Sequence, residues 1–265
     1  MTWPHRWCAV AIFAALALGS TAPCAADDKS LQNVKGSVSY QAPNAPAVPI
    51  VVNATIALAD ADYAITGAES LAALNLPDSS QVLLGSQSKV QLALFNVASA
   101  ANAQFVVYGG KVRFAVRHPH GAKANYTFTT PTATVGVRGT QGDISFDPDG
   151  ALRVNVYELC DPDAPVVVTT KDGTPYTLNA GQSLFAQISD GIVHAEVMQV
   201  TQDLIDQFSP DFGVPTSWDQ AKGEVIDYAQ AQAQNAAGDL GGQAVGALGG
   251  LLGGHKPSAP KASTC

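Results

Sequence analysis

Short runs of β-branched and aromatic residues, interrupted at close intervals by Gly, Pro, Asn and Asp, extend from Val34 to about Val197. This spacing is typical of all-β modules, because each run suits one strand and each interruption supplies residues that tolerate tight turns. No long helical period appears in this region. The pattern predicts an all-β fold of sandwich or jelly-roll-like type, with an irregular β-solenoid as the alternative. A regular solenoid is less favoured, because the sequence shows no repeat of fixed period.

The individual runs predict where strands and turns lie. Strands are predicted at residues 34–40, 50–56, 71–76, 89–96, 105–108, 112–117, 126–129, 142–146, 152–157, 166–169, 183–188 and 193–197. Turns are predicted at Gly109-Gly110, Pro148-Asp149-Gly150 and Lys171-Asp172-Gly173, because these residues accept tight backbone geometry.

The segment from Thr130 to Thr140 has a strand pattern in which apolar and small residues alternate. Gly136 and Gly139 mark positions where a side chain would be costly. Arg138 lies between them, and a guanidinium in an apolar strand needs carboxylate or carbonyl acceptors. We predict Arg138 to be a buried structural clamp; the alternative is a residue on a ligand-contacting surface.

This segment resembles the signature of the FecR-domain family, whose central run reads approximately T-P-x-A-x-x-x-V-R-G-T. Further matches follow in the expected order at residues 63–76, 82–85, 152–158 and 178–182, so the resemblance covers about residues 34–197. Two turns depart from the family pattern: Pro77-Asp78-Ser79-Ser80 replaces Asp-Gly-Ser, and Leu159-Cys160 follows Glu158 where Gly is usual. The resemblance implies a structural role for the family-motif residues Thr130, Pro131, Gly136, Arg138, Gly139, Thr140, Glu158 and Gly181. It also implies Glu158 as the partner of Arg138, because both lie in the strands most like the family.

In the best-understood members of the family, the domain is the periplasmic half of a signal transducer. It relays occupancy of an outer-membrane iron transporter to a cytoplasmic sigma factor. The sequence here shows a cleavable signal and no recognisable anti-sigma segment or crossing helix. The resemblance therefore implies the module and not that pathway.

The two ends of the chain differ in character from the β region. Residues 1–26 have a basic start, an apolar run and small residues near Ala26, which predict a secretory signal peptide cleaved there and a periplasmic or secreted protein. Residues 199–232 are predicted to form a short helical extension, with helices at Thr201–Phe208 and Ser217–Gln232. The Ala/Gly/Gln-rich residues 233–265 are predicted to be a disordered tail.

Charge and cysteine content limit the partners. The chain has a net charge of −8, and removal of Arg6 with the signal leaves 14 − 1 = 13 basic against 22 acidic side chains, or −9. Nucleic acid is therefore not an expected partner, and no stretch after the signal is long enough for a membrane span. Only Cys160 and Cys265 remain after cleavage; a bridge between them, an intermolecular bond and two free thiols are all open.

Candidate chemistry is sparse. His118-Pro119-His120 resembles a metal pair but lacks further nearby ligands, so we interpret it as a polar hairpin loop. The carboxylates of residues 147–150 and 161–163 are interpreted as turn residues and not as a calcium site, and His194 as a solvent-facing strand residue. No catalytic motif or phosphate-binding glycine loop is recognisable, so we predict neither an enzyme nor a cofactor.

Two functions follow as hypotheses. The first is a non-enzymatic exported FecR domain-containing protein, a protein-interaction or sensory/adaptor module that binds an envelope protein through exposed strand edges or its tail. The alternative is a jelly-roll-like module that binds a small ligand or glycan. Its candidate stacking platforms are Tyr40, Tyr63, Tyr108, Tyr126, Tyr157 and Tyr176.

Overall fold

The computed structural model describes residues 29–97, 100–117, 123–213 and 215. The predicted all-β fold is confirmed, with one helix near the C-terminal end of the described residues. The strands are β1 (Ser30–Lys35), β2 (Val38–Gln41), β3 (Val48–Ile50), β4 (Thr55–Ala57), β5 (Tyr63–Thr66), β6 (Leu71–Asn75), β7 (Gln81–Leu84), β8 (Lys89–Val97), β9 (Ala100–Val116), β10 (Lys123–Thr129), β11 (Ala133–Val137), β12 (Thr140–Phe146), β13 (Leu152–Leu159), β14 (Val166–Thr170), β15 (Pro175–Leu178), β16 (Gln182–Ser189) and β17 (Ile192–Gln199). The helix is α1 (Gln202–Phe212).

The strands form two layers joined through β9. Layer A has the order β4-β1-β6-β7-β9-β12-β13-β16-β17, using the second half of β9. Layer B has the order β3-β2-β5-β8-β9-β10-β11-β14-β15, using the first half of β9. Neighbouring strands are antiparallel except β9 and β10, which are parallel. The sheet does not close, so each layer has two free edges among the described strands.

β9 passes from one layer to the other at Gly109-Gly110. The turn predicted there is wrong, because Ala100–Val116 is one continuous strand. Gly110 has φ +91°, and a Cβ placed on it would lie 2.4 Å from the Ser88 Cα. The glycine pair thus lets β9 bend between the layers and lie close to the backbone at Ser88. In the sequence, a glycine pair at such a bend is indistinguishable from a glycine pair in a turn.

The inner faces of the layers share one hydrophobic core. Phe105 and Phe128 of layer B stack with ring centroids 4.9 Å apart. Phe114 of layer A lies 5.2 Å from Phe128 across the core. The alternation of buried and exposed positions along each strand brings these rings together, as expected for a sandwich.

Helix α1 packs on the outer face of layer A. Thr201 caps it, since Thr201 Oγ1 accepts a hydrogen bond from the Leu204 N–H at 3.4 Å. Leu204, Ile205 and Phe208 are buried, the first two in a small cluster with Tyr157. The predicted short capped helix is confirmed and extends to Phe212.

Other predicted segments lie outside the described residues. These are the signal peptide at 1–26, the second helix at 217–232, the tail at 233–265 and the His118-Pro119-His120 loop. The β structure begins at Ser30, ahead of the predicted start at residue 34. Within the described ranges, no helix has the length and apolar character needed to cross a bilayer.

Candidate functional site

The start of the family motif forms a turn between β10 and β11. Thr130 is buried, and its Oγ1 accepts hydrogen bonds from the N–H groups of Thr132 at 3.2 Å and Ala133 at 3.1 Å. Pro131 is exposed at the tip of this turn. Thr140, at the start of β12, is fully buried, and its Oγ1 has no hydrogen-bond partner among the described residues.

Arg138 lies in the turn between β11 and β12. Its side chain is exposed, so the predicted buried clamp is wrong; it lines a shallow depression of about 250 Å³ on layer B. Glu158, its predicted partner, is 1% exposed in β13 of layer A. The Arg138–Glu158 pair stays a prediction. The sequence suggested burial because Arg138 directly follows the apolar residues of β11. That strand ends at Val137, so Arg138 lies in the turn and its side chain is exposed.

The motif glycines differ in what they require. Gly139 has φ +82°, and its carbonyl accepts a hydrogen bond from the Cys160 N–H at 3.0 Å. Gly181 has φ +78° and donates its N–H to the Val156 carbonyl at 2.9 Å. Both therefore occupy backbone conformations that favour glycine. The prediction for Gly136 is wrong, since a Cβ there would find its nearest neighbour, the Val167 carbonyl oxygen, at 3.6 Å.

The turn at Pro77-Asp78-Ser79-Ser80, which departs from the family sequence, places a serine in a backbone conformation that favours glycine. Ser79 has φ +67° at the position where the family has Gly. Asp78 is buried and accepts hydrogen bonds from Ser80 Oγ at 3.0 Å and from the Tyr126 hydroxyl at 2.7 Å. These bonds hold a conformation that serine otherwise adopts rarely.

The tyrosines do not form the expected set of stacking platforms. Tyr126 and Tyr157 are buried, so their ring faces are not exposed as stacking platforms. Tyr63 and Tyr108 lie side by side on layer B with centroids 5.8 Å apart, and Lys89 Nζ lies over both rings. Tyr40 and Tyr176 are only partly exposed and pack against the core. This distribution does not support the glycan alternative.

The remaining candidates have the roles that turn and strand chemistry predicts. The Asp149 carboxylate accepts from the Ala151 N–H, and the Asp161 carboxylate from the Asp163 N–H, so both turns use their carboxylates locally. His194 is exposed in β17. Within the part of the chain that is described, no group of three or more His, Cys, Asp and Glu side chains is placed to hold a metal. Cys160 is disulfide-bonded, and the other cysteines lie outside the described residues.

A row of polar side chains crosses the outer face of layer A. Arg113, Asp143, Asn155 and Ser183 lie opposite one another on β9, β12, β13 and β16. Arg113 and Asp143 form a two-pronged ion pair, with Nε to Oδ1 at 2.7 Å and Nη2 to Oδ2 at 2.9 Å. The Tyr157 hydroxyl donates to Asp143 Oδ2 at 2.6 Å, and Ser183 Oγ donates to Asn155 Oδ1 at 2.7 Å.

Burial and charge set the ionisation of this network. Complete burial raises the pKa of the Asp143 carboxyl, while Arg113 and then Tyr157 act against it. Burial alone would lower the pKa of Arg113, but its hydrogen bond to Asp143 and the charge of Asp143 outweigh burial and raise it. Burial, with the charge of Asp143, raises the pKa of Tyr157 far above its usual range. Three donors thus converge on Asp143, which acts as an acceptor-only carboxylate.

The same strands fasten the C-terminal end of α1. Arg113 Nη1 donates to the carbonyls of Phe212 at 3.3 Å and Gly213 at 2.8 Å. Lys111 Nζ donates to Asp211 Oδ2 at 3.0 Å, and the Ser86 N–H donates to Asp211 Oδ1 at 2.8 Å. Cations at the last carbonyls of a helix are favourable, because the free carbonyls carry partial negative charge.

The electrostatics of Asp211 depend on this contact. Burial alone would raise the pKa of its carboxyl, but the hydrogen bonds from Ser86 and then Lys111 hold that pKa below its usual value. The ionised form of Asp211 is therefore part of the docked state of α1.

A depression of about 270 Å³ opens next to the end of α1. We call it the α1 groove. Its lining residues come from β7, β9 and the residue after β9, β12, β13, the last residue of α1 and the chain after it: Gln81, Leu83, Arg113, Phe114, Ala115, Arg117, Gln141, Gly142, Tyr157, Phe212 and Pro215. The groove combines the half-buried apolar side chains of Leu83 and Ala115 with the exposed cation of Arg117.

The sequence analysis did not identify the Arg113–Asp143 pair, although a weak signal for it is present. Arg113 and Asp143 are charged residues at alternate positions of otherwise apolar strands, which fits a half-buried face. Nothing in the sequence pairs them, because they are 30 positions apart and meet only through the β9–β12 register.

β17 is a second exposed feature. It pairs only with β16 among the described strands, and it is longer than the other free edges, β3, β4 and β15. A free edge offers unpaired backbone groups to another chain. The predicted binding through strand edges stays a prediction.

Comparison with known proteins gives the family of the central region. Residues 62–158 match the family model described as FecR protein, which confirms the resemblance found in the sequence and shows that this part of the chain is a FecR domain. The matched range runs from β5 into β13, and therefore contains Arg113, Asp143 and Tyr157. No curated protein matches the sequence.

Two solved structures are similar to part of this chain. Both are crystal structures of a candidate anti-sigma factor from Parabacteroides distasonis, at 2.50 Å and 1.65 Å resolution. They are 15% and 14% identical to this chain, with TM-scores of 0.42 and 0.43, and the matches cover 52% and 55% of this chain. The chain spans only 60% and 64% of their lengths.

Proposed function

We propose that this chain is a non-enzymatic, exported FecR-domain protein that acts as a protein-interaction module, sensory or adaptor, in the cell envelope. The observation that carries the proposal is the FecR domain at residues 62–158, with an open groove on its outer face. The family resemblance supports a regulatory role, and the apolar surface and cation of the groove suit a binding partner.

Export rests on the sequence of residues 1–26. A cleaved signal would place the domain in the periplasm or outside the cell, where a disulfide at Cys160 is stable. Fractionation of the source cells, with sequencing of the mature N-terminus, tests this part. We expect an N-terminus close to residue 27, and an uncleaved chain in the cytoplasmic fraction would contradict export.

The chemistry of the α1 groove indicates what kind of partner it fits. Leu83 and Ala115 supply half-buried apolar surface, and Arg117 supplies an exposed cation at the rim. A protein segment with one bulky apolar side chain beside an acidic residue matches both features. We therefore propose an envelope protein that presents such a segment.

Capture from reversibly cross-linked intact cells tests the function. The bait is the full chain with an affinity tag, and the variants are Leu83→Asp in the groove and Val167→Asp as control. Val167 is 40% exposed on layer B, so its substitution adds the same charge far from the groove. We expect one envelope protein to be captured by wild type and by Val167→Asp, but lost with Leu83→Asp. No captured envelope protein, or equal capture by all three chains, would overturn the proposal.

A further inference from the structure

β17 lacks the features that keep the other free edges of the described sheet from pairing with another chain. Short strands, prolines and bulges serve this purpose in natural proteins. The edge strands β3 and β4 have three residues each, and β3 and β15 contain Pro49 and Pro175. β17 has eight residues and no proline, and its register with β16 is unbroken from Ile192 to Gln199. Its edge can therefore take a further strand.

The backbone groups at this edge belong to alternate residues of β17. At the end of the strand the Val200 N–H donates to the Gly181 carbonyl at 2.7 Å, on the side of β16. N–H and C=O groups alternate in direction along an antiparallel strand, so the even-numbered residues of β17 bond to β16. The odd-numbered residues present their N–H and C=O groups to the free edge, and they include Val193, Ala195 and Val197.

Helix α1 runs away from this edge. It begins at the end of β17 and reaches back across layer A, where Asp211 contacts Lys111 of β9. The residues that line the α1 groove lie on or beside β7, β9, β12, β13 and the end of the helix. A strand added along β17 therefore leaves both the helix and the groove in place.

A second copy of β17 is complementary to the first in one register. Ala195 packs against the core, so its neighbours His194 and Glu196 face outward, and both are exposed. Neither forms an ion pair within the described residues. If two copies pair antiparallel about Ala195, His194 of each copy lies opposite Glu196 of the other. An imidazole can donate a hydrogen bond to a carboxylate, and a protonated imidazole adds opposite charge, which stabilises a cross-strand pair.

The neighbouring symmetric registers do not provide this match. Pairing about Glu196 places two carboxylates opposite each other, which is destabilising, and pairing about His194 places two imidazoles together. The register about Ala195 also sets Ile192, which is 61% exposed, opposite Met198 of the second copy. Charge and apolar surface therefore select the same register.

We propose that two copies of this chain associate through β17, antiparallel about Ala195, and join their A layers into one continuous sheet. Ala195 then faces Ala195 of the second copy, and Val193 faces Val197 on either side. These are the residues whose N–H and C=O groups point to the free edge, so the pairs exchange about six hydrogen bonds. The assembly carries two α1 grooves. The inference goes beyond the proposed function and does not rest on it, because association concerns the purified chain alone.

Sedimentation equilibrium of the full chain tests the association. At about 0.15 M salt, repulsion between the negatively charged copies is screened beyond about 8 Å. We expect a reversible monomer–dimer equilibrium for wild type and for the surface control Val167→Asp. Ala195→Pro removes one N–H per copy from the new ladder and none from the bonds to β16, so it should weaken the dimer at least about tenfold. A wild-type chain that stays monomeric up to about 1 mM, or equal association of wild type and Ala195→Pro, would overturn the inference.

Charge variants test the pairing of His194 with Glu196. His194→Glu places like charges opposite each other at two points of the dimer, so association should weaken several-fold. Adding Glu196→Lys makes both pairs complementary again, and association should recover. Circular dichroism and the thermal midpoint check that each variant is folded, and the charge variants serve if Ala195→Pro does not fold. Weakening that the second substitution does not relieve would contradict the register.

A disulfide between two variants then identifies the register. Opposite residues of an antiparallel pair have Cα atoms about 4.5–5.5 Å apart, which a disulfide can span, whereas residues displaced by two positions are about 7–8 Å apart. Mild oxidation of a mixture of His194→Cys and Glu196→Cys chains should therefore join positions 194 and 196, as mapped by mass spectrometry. Neither variant alone should form a crosslink through its new cysteine. A mixture without this crosslink, or a crosslink in one variant alone, would overturn the inference, and failure to capture an envelope protein would leave it intact.

Discussion

Substitution of Asp143 by Asn should be among the most damaging single changes in layer A. Asp143 is fully buried and accepts three hydrogen bonds, two from Arg113 and one from Tyr157. Asn keeps the shape but points an N–H₂ group at one of these donors, and it leaves the Arg113 charge without its counterion. The expected loss is the cost of an unpaired charge and not the value of an ordinary hydrogen bond.

The size of the effect follows from the burial of the pair. Breaking one partner of a buried ion pair costs about 3–5 kcal/mol. For a folded region of this size each kcal/mol lowers the midpoint by about 2–4 °C, so the expected decrease is roughly 6–20 °C. Urea unfolding of the full chain, followed by circular dichroism, measures the free energy, and a thermal scan measures the midpoint.

An exposed pair supplies the control. The side chains of Lys29 and Asp60 are 21% and 38% exposed, so Lys29→Met should cost less than about 1 kcal/mol. A double variant, Arg113→Met with Asp143→Leu, should be less destabilised than the sum of its two single changes. The reasoning is refuted if Asp143→Asn lies within about 1 kcal/mol of wild type, or if the Arg113 and Asp143 changes are additive.

Three further predictions concern other parts of the fold. A Cβ on Gly142 would lie 2.4 Å from the Asn155 carbonyl oxygen and 2.6 Å from the Phe114 ring, so Gly142→Ala should greatly lower the urea midpoint of unfolding. Gly136→Ala, where a Cβ has room, should leave that midpoint nearly unchanged. Equal effects of the two substitutions would contradict the packing described here. The folded-state pKa of Asp211 is depressed, so the contribution of its carboxylate to α1 docking is complete above the unfolded-state pKa of about 3.9 and is lost as pH falls through the folded-state pKa. Hydrogen exchange of the α1 amides should therefore increase below about pH 4. The increase should be smaller in Asp211→Asn, which has no carboxylate to protonate. If the signal is cleaved near Ala26, non-reducing peptide mapping should find Cys160 joined to Cys265, and two free thiols would disprove the pairing.

The sequence predicted the features of this fold that depend on local chemistry. Alternating apolar residues indicated the strands, the Pro148-Asp149-Gly150 turn lies between β12 and β13, and Thr201 marks the start of α1. Each depends on residues that are neighbours in the chain. Such signals are strong because few conformations satisfy them.

Features that depend on distant residues were missed. Gly109-Gly110 has the composition of a turn, yet pairing of both halves of β9 with other strands keeps it extended. The exposure of Arg138 depends on where β11 ends, which its own residue type does not fix. The Arg113–Asp143 pair depends on strand register, and register is set by the whole two-layer assembly.

The central claim is that the α1 groove is the surface through which this FecR-domain protein meets its envelope partner. Site-specific photo-crosslinking in intact cells tests it most directly, with the full chain carrying the photoreactive residue at Leu83, at Val167 on layer B, or at Val197 on the β17 edge. We expect a crosslink to one envelope protein from position 83 and none from positions 167 and 197. Crosslinks from position 167 or 197 with none from position 83 would contradict it.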